Sequence, residues 1–341
     1  MARALNESTA CRRHHVGPIP RQFTHGMAGF PFLSDTRFLQ LPVAEPRHPY
    51  VVAGLPWDGS VTNRPGARFG PRAIRTASHM LCDATHPLFD VSPIGQAGDA
   101  GDIVLPHASH AAMQQAIQAA AIRLLGRHHT VWLGGDHSVT LPILRALRQR
   151  HARPLALLHF DAHCDTWPDH FGEPSGHGTW VREAVLEGLV DPRATVQVGI
   201  RSAAERSARD FVVDRGGQVW TSRALRGLDG SMALAPIEAE IRRCLSGGRP
   251  GDPPPVYLSL DIDVIDPGFA PGTGTPEPGG LSTSQVLTLL EDLFDLPFVG
   301  MDCVEVSPPY DHAELTASVA ATLVWTYLCG RIRSKKTPFA P

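Results

Sequence analysis

Leu157-Leu158-His159-Phe160-Asp161-Ala162-His163-Cys164-Asp165 is the stretch on which the reading of this chain turns. A Leu-rich apolar run stops abruptly at three residues able to bind a metal, spaced i, i+2 and i+4. Alternate side chains of an extended segment share one side. Asp161, His163 and Asp165 are therefore expected to converge on one point, with Ala162 and Cys164 facing away. Two carboxylates held so close to an apolar strand are costly without a counter-charge. A cation is the simplest remedy, and a polar loop after a buried strand is the alternative. A second, matching cluster has to decide between them.

Working outward, apolar runs without alternation recur along the chain. They are Tyr50 to Leu55, Thr130 to Leu133, Leu155 to Phe160, Thr195 to Ile200, Val256 to Leu260 and Phe298 to Met301, with a further strand near Gln218 to Trp220. Helices are expected between them, from Pro71 to about Leu81, Ala111 to Leu125, Val139 to Arg150, His177 through Gly188, Ser282 to Phe294 and Glu314 to Tyr327. Short apolar strands separated by helices argue for a mainly parallel sheet covered on both faces, a single-domain three-layer α/β/α fold of about eight strands. Residues 1–48 read as an N-terminal arm, 49–330 as one catalytic domain and 331–341 as a C-terminal tail. Segment 202–250 reads as short helices with one strand, and Asp99 and Asp102 as turn residues after Pro93-Ile94.

In open parallel sheets, ligands collect beyond the carboxyl ends of the strands. The charged residues fall there. Asp261 and Asp263 repeat the i, i+2 spacing after a second apolar strand, His137 follows a third and Glu305 a fourth. His137, Asp161, His163, Asp165, Asp261 and Asp263 together offer two imidazoles and four carboxylates, enough to offset two divalent ions. Mixed carboxylate and imidazole without thiolate suits Mn²⁺, although similar ligands accept Ni²⁺ or Zn²⁺. Two such ions can acidify a shared water.

Composition narrows the class. The chain has 341 residues, 43% of them hydrophobic, with net charge −3 and a pI near 6.6. Nothing there suggests binding to nucleic acid or to a membrane surface, and no apolar run approaches the roughly 20 residues of a bilayer span. The cysteines at 11, 82, 164, 244, 303 and 329 form no CxxC pair, which fits reduced thiols in the cytoplasm. His14, His15, His107, His110, His128, His129 and His170 read as solvent-facing, Cys164 as packed, and Trp132 and Trp325 as core.

Several of these segments resemble a known family. Gly134-Gly135-Asp136-His137-Ser138, Asp161-Ala162-His163-Cys164-Asp165, His177-Gly178-Thr179 and Ser259-Leu260-Asp261-Ile262-Asp263-Val264-Ile265-Asp266-Pro267 look like the signatures of the ureohydrolase (arginase/agmatinase) family. Pro271-Gly272-Thr273-Gly274-Thr275-Pro276-Glu277 and Glu305-Val306-Ser307-Pro308 match it too, so the resemblance runs from about residue 50 to 328. It implies an arginase-like fold, two Mn²⁺ ions per subunit, a trimeric or hexameric assembly, and hydrolysis of a guanidino group to urea and an amine. Carried over by motif, His137, Asp161, Asp165 and Asp261 would hold one ion and Asp161, His163, Asp261 and Asp263 the other. A bridging hydroxide would attack the guanidinium carbon. Asp165 would pass a proton toward the leaving amine, His177 would shuttle protons, and Glu305 would pair with the guanidinium.

The loop Thr166-Trp167-Pro168-Asp169-His170-Phe171-Gly172-Glu173 lies closer to the agmatinase and guanidino-acid branch than to arginine-specific members. Trp167, a candidate substrate-binding residue, and Trp180 depart from the residues expected at their positions, and their bulk could shorten the pocket or change its occupant. Asp169, Glu173, Arg64 and Arg68 are all near enough to select the far end of a substrate. Agmatine is the favoured substrate, with a guanidino acid (guanidinobutyrate or guanidinopropionate) as the alternative. A dimetal phosphoesterase and an inactive metal-binding scaffold are more remote: the first should bring Arg or Lys where Glu305 stands, and the second usually loses ligands.

Overall fold

The computed structural model describes residues 35–249 and 251–334. In chain order the elements are β1 (Tyr50–Gly54), α1 (Gly70–Ser78), β2 (Ala97–Asp102), α2 (His110–Leu125), β3 (His129–Leu133), α3 (Thr140–Arg150), β4 (Leu155–Phe160) and α4 (Trp180–Leu186). They continue with β5 (Val190–Ile200), α5 (Arg206–Arg209), β6 (Gln218–Thr221), α6 (Ser222–Leu225), α7 (Ser231–Leu245), β7 (Val256–Asp261), α8 (Thr283–Asp292), β8 (Phe298–Val304) and α9 (Leu315–Ser334). The strands form one sheet in the order β2-β1-β3-β8-β7-β4-β5-β6. Every pairing is parallel.

The three layers follow from the pleat. Leu158 and Phe160 of β4 pack with Val196, Leu258, Ile74 of α1, Ile241 of α7, Leu289 of α8 and Ala320 of α9. Leu155 and Leu157 point the other way, into a second core with Trp132, Ile117 of α2, Leu144 of α3 and Val181 of α4. A strand buried on both faces needs no polar alternation, which is why these runs read as continuously apolar.

Two expectations need correction. Asp99 and Asp102 are not turn residues; they belong to strand β2. Its sequence, Ala97-Gly-Asp-Ala-Gly-Asp102, carries no apolar run. It is held in part by the segment 42–44, where Asp99 N–H donates to Pro42 O at 2.9 Å and Ala44 N–H to Asp99 O at 3.0 Å. Arg75 of α1, fully buried, donates from Nε to Asp99 Oδ2 at 2.8 Å, from Nη2 to Asp99 Oδ1 at 3.0 Å, and from Nη1 to Asp102 Oδ1. Segment 202–250 is also more regular than expected, because α7 spans fifteen residues with Pro236 in its first turns.

The histidines expected at the surface divide. His128 and His129 are buried: the His128 ring bonds the His48 carbonyl at 2.7 Å, and His129 Nε2 the Tyr327 hydroxyl at 2.8 Å. His107, His110 and His170 are half-buried, whereas His14 and His15 lie outside the described residues. Trp132 is core, and Trp325 is half-buried with its indole N–H donating to Ala84 O at 2.9 Å. Helix α9 is long and apolar enough to cross a membrane by length and composition, but most of it is buried inside the fold. It packs against α1 and α8.

Candidate active site at the strand ends

Strands β3, β8, β7 and β4 are consecutive neighbours at the centre of the sheet. Their carboxyl ends bring His137, Glu305, Asp261 and Asp161 together. Beyond β3 the chain must pass close to the loop after β1: a Cβ at Gly135 would lie 1.7 Å from the Trp57 carbonyl oxygen, so only glycine fits. Asp136 N–H then donates to that oxygen at 2.7 Å, and Glu305 N–H to Gly135 O at 2.8 Å. These bonds fix His137 at the start of a short 3₁₀ turn facing β7 and β4.

Asp161, His163 and Asp165 were expected to meet at one point. They meet at two. Strand β4 ends at Phe160, and the following residues leave the extended conformation, Asp165 at φ 52°. His137 Nδ1 faces Asp161 Oδ2 at 3.1 Å, Asp165 Oδ2 at 3.2 Å and Asp261 Oδ2 at 3.1 Å. His163 Nδ1 faces the other Asp161 oxygen at 3.2 Å and Asp263 Oδ2 at 3.0 Å. The two oxygens of Asp161 thus face different imidazoles of the pair, Oδ2 that of His137 and Oδ1 that of His163, the disposition of a bridging carboxylate. Two His/Asp groups able to hold a metal ion result among the described residues, one of His137, His159, Asp161 and Asp165, the other of Asp161, His163 and Asp263; Asp261 belongs to neither group but faces His137.

The donors fit divalent cations. All four carboxylates and His137 are at least 96% buried. Burial raises the Asp261 carboxyl well above its ordinary value, and Asp263 and Asp161 raise it further. Burial alone would lower the His137 and His163 imidazoles, yet the surrounding carboxylates hold both well above the usual histidine range. Such a cluster draws positive charge into itself. Arg201 is close by, but it spends its N–H groups on the carbonyls of Gly199, Asp263, Val264 and Glu277.

A supporting layer was not foreseen. His137 Nε2 bonds Ser259 Oγ at 2.8 Å, and that hydroxyl donates to Asp302 Oδ1 at 2.7 Å. Tyr257 OH and Thr140 Oγ1 donate to the second Asp302 oxygen. This chain of bonds leaves Nδ1 free to face the carboxylates. His159 Nε2 lies 2.8 Å from Asp161 Oδ2. The Gln197 amide nitrogen donates to Cys164 O at 2.7 Å and reaches His159 Nδ1 at 3.0 Å, so Nδ1 accepts and Nε2 carries the proton. In this arrangement His159 holds Asp161 as a hydrogen-bond donor. The alternation that grouped residues 161, 163 and 165 would have found it one step earlier.

His177 and Glu305 do come together. His177 Nδ1 bonds Glu305 Oε1 at 2.9 Å, and Thr62 N–H donates to His177 Nε2 at 3.1 Å. Burial lowers the His177 imidazole, but Glu305, Asp136 and Asp165 outweigh it and the net shift is upward. Glu305, at φ 64°, is almost fully buried, and its Oε2 has no hydrogen-bond partner among the described residues. A buried carboxylate oxygen left open is a place for a cationic donor. Asp136, in the same knot, is pushed up to about 7 by burial and by Glu305.

A cavity of about 580 Å³ opens over these groups, with Thr62, His163, Asp165, Trp167, His170 and His177 in its wall. Trp167 therefore lies where a substrate would pass. Trp180 does not: it is fully buried beneath the site and cannot shorten the pocket. Asp169, Glu205 and Glu277 also line the cavity, and no arginine or lysine does so among the described residues. Arg68 is paired with Asp58, and Arg64 lies over the Tyr310 ring at 5.1 Å.

Residues 48–330 match the arginase family. The chain is 43% identical over 289 residues to the agmatinase of Chromobacterium violaceum, covering 84% of each chain. It is 39% identical over 327 residues to the guanidinopropionase of Pseudomonas aeruginosa, covering 92% of this chain and 96% of that one. Among solved structures, the proclavaminate amidinohydrolase of Streptomyces clavuligerus superposes with a TM-score of 0.77 at 38% identity, over 89% of this chain and all of that one. The parallel sheet, the His/Asp cluster at its centre and a similarity that spans nearly the whole chain have one explanation: the chain belongs to the arginase family and is an amidine hydrolase.

Proposed function

We propose that the chain hydrolyses agmatine to putrescine and urea, using two Mn²⁺ ions. The observation that carries the substrate is the cavity wall, acidic at Asp169, Glu205 and Glu277 and without Arg or Lys among its lining. The distal ammonium of agmatine suits such a wall, whereas the carboxylate of a guanidino acid is repelled by it. His137, Asp161, Asp165 and Asp261 would hold one ion, and Asp161, His163, Asp261 and Asp263 the other. When bound, the ions supply an acidified water as nucleophile.

The rest of the chemistry belongs to the chain. Glu305 Oε2, open and buried, takes the guanidinium, whose planar fork matches a carboxylate. His177, kept above its ordinary value by Glu305, gives up or regains a proton at the cavity wall. Asp165 stands at the cavity beside His137 and passes a proton toward the leaving amine. Trp167 forms the flat side along which the aliphatic chain of the substrate lies.

The similarity to a guanidinopropionase supports a guanidino-acid hydrolase as the second reading. Urea release from agmatine, guanidinobutyrate, guanidinopropionate and arginine, each with Mn²⁺, separates the two; preference for a guanidino acid would overturn the first. Asp263→Ala should lower bound manganese from two ions toward one and abolish turnover, and full metal with full activity would sink the ligand assignment. The cytoplasm, a trimer or hexamer as the working assembly, and a catalytic domain of residues 49–330 flanked by arm and tail belong to the same proposal. The five described cysteines are all free thiols, in keeping with that compartment.

A further inference from the structure

Trp180 is the first residue of α4 and fully buried. Its indole N–H donates to Asp165 Oδ2 at 2.7 Å, the same oxygen that faces His137 Nδ1 at 3.2 Å. The indole ring packs on two imidazoles, 4.8 Å from the His137 ring and 5.0 Å, edge to face, from His159. Helix α4 grips Asp165 a second time through its backbone: Val181 N–H and Arg182 N–H donate to the Asp165 carbonyl at 3.1 and 3.3 Å. Asp165 needs this grip, because its φ of 52° lies in the left-handed region that a residue with a side chain rarely adopts.

We infer that Trp180 is a positioning residue for Asp165, presetting its Oδ2 toward His137 before any ion arrives. This rests on the metal reading above. The carboxylate has few other means of staying aimed: besides the indole, its side chain faces His137 Nδ1 at 3.2 Å, while His159 Nε2 stands off at 4.0 Å. The indole also fills the space beneath His137 and His159, so neither ring can tilt away from the cluster. Loss of a donor to a metal-binding side chain typically costs about 10–100-fold in metal affinity. Here the loss should be confined to the ion that Asp165 helps to hold, because the indole's described hydrogen bond and ring contacts go to Asp165, His137 and His159 and none goes to Asp263 or His163.

Trp180→Phe keeps the apolar bulk and removes the N–H. Titration calorimetry with Mn²⁺, together with metal counting, should show two ions of wild-type protein reduced to one of unchanged affinity and one bound about 10–100-fold more weakly. Unchanged binding of both ions would overturn the inference, as would equal weakening of both, which is the mark of general loosening. Should the variant not fold, wild-type protein labelled with ¹⁵N in its indoles decides. A slowly exchanging indole N–H should move on addition of one equivalent of diamagnetic Zn²⁺, and a titration in which none moves would overturn the inference. Absence of any metal binding by the wild-type protein would instead strike the metal reading itself.

Discussion

His177 Nδ1 and the backbone N–H of His137 share one acceptor, Glu305 Oε1, each at 2.9 Å. A single carboxylate at the end of β8 therefore ties the candidate proton carrier to the turn that aims the candidate metal ligand, and keeps its second oxygen open. Glu305→Gln preserves the size of the side chain and removes its charge. The guanidinium then loses a charge-assisted bond of about 1.5–3 kcal/mol, so kcat/KM for agmatine should fall ~10–150-fold. Glu305 is also the chief group raising His177 against burial. The limb of the pH–rate profile set by that imidazole should shift to lower pH in the variant. An unmoved limb would separate His177 from the proton transfer.

Asp136 offers a test of the same knot by stability alone. Its carboxyl rises from 3.8 to about 7 in the folded protein, because burial and Glu305 disfavour the charged form. A raised carboxyl makes the folded state relatively weaker as pH climbs from the unfolded value through the folded one. Relative to the wild type, Asp136→Asn should therefore gain stability steadily between about pH 4 and 7 and change little above. Chemical denaturation of the metal-free proteins across that range measures it. A flat difference would show that Asp136 is not held up by its surroundings.

The acidic wall is testable by charge. Glu205→Gln removes an exposed carboxylate from the cavity lining while leaving the strand ends untouched. Exposed charge pairs contribute roughly 0.2–1 kcal/mol. KM for agmatine should rise about two- to fivefold, with kcat nearly unchanged, and the effect should shrink at high salt. Guanidinobutyrate should become a better substrate, not a worse one. Equal effects on both compounds would remove the wall from specificity.

Arg75 carries the last prediction. With Asp99 and Asp102 it forms a fully buried triad joining α1 to β2. Arg75→Met would leave two carboxylates buried without their partner, a loss of about 3–5 kcal/mol. A lower denaturation midpoint at unchanged slope should result, and stability within 1 kcal/mol of wild type would contradict the triad's role.

The six strands written as apolar runs were legible because both of their faces are buried, and the third layer followed from the helices between them. Strand β2 was not, since Gly and Asp fill it and its hold comes from Arg75 and from residues 42–44, all distant in sequence. The site residues divide the same way. Clusters compact in sequence, at 161–165 and 261–263, announced themselves. Trp180 reaches Asp165 only because the chain leaves the sheet, turns and returns as α4, and nothing in its immediate neighbours records that path. The loop 166–173 lies at the cavity, but that Asp169 lines it while Arg64 lies over Tyr310 and Arg68 pairs with Asp58 is decided by packing and not by the loop's own sequence.

The strand order has a further consequence, for biosynthesis. β7 and β8, the last strands made, lie between β3 and β4 at the middle of the sheet. Until about residue 261 has left the ribosome, the chain can form only two half-sheets, β2-β1-β3 and β4-β5-β6, with open edges where the late strands belong, and the two are joined only when β8 is complete at residue 304. Those edges, at β3 and β4, are the ones that carry His137 and Asp161. Unpaired apolar strands of this kind invite wrong partners and fold slowly. The protein is thus most exposed to aggregation just before it acquires its chemistry, and it should depend on chaperones up to the moment when the final hairpin-free insertion closes the sheet and completes the site at once.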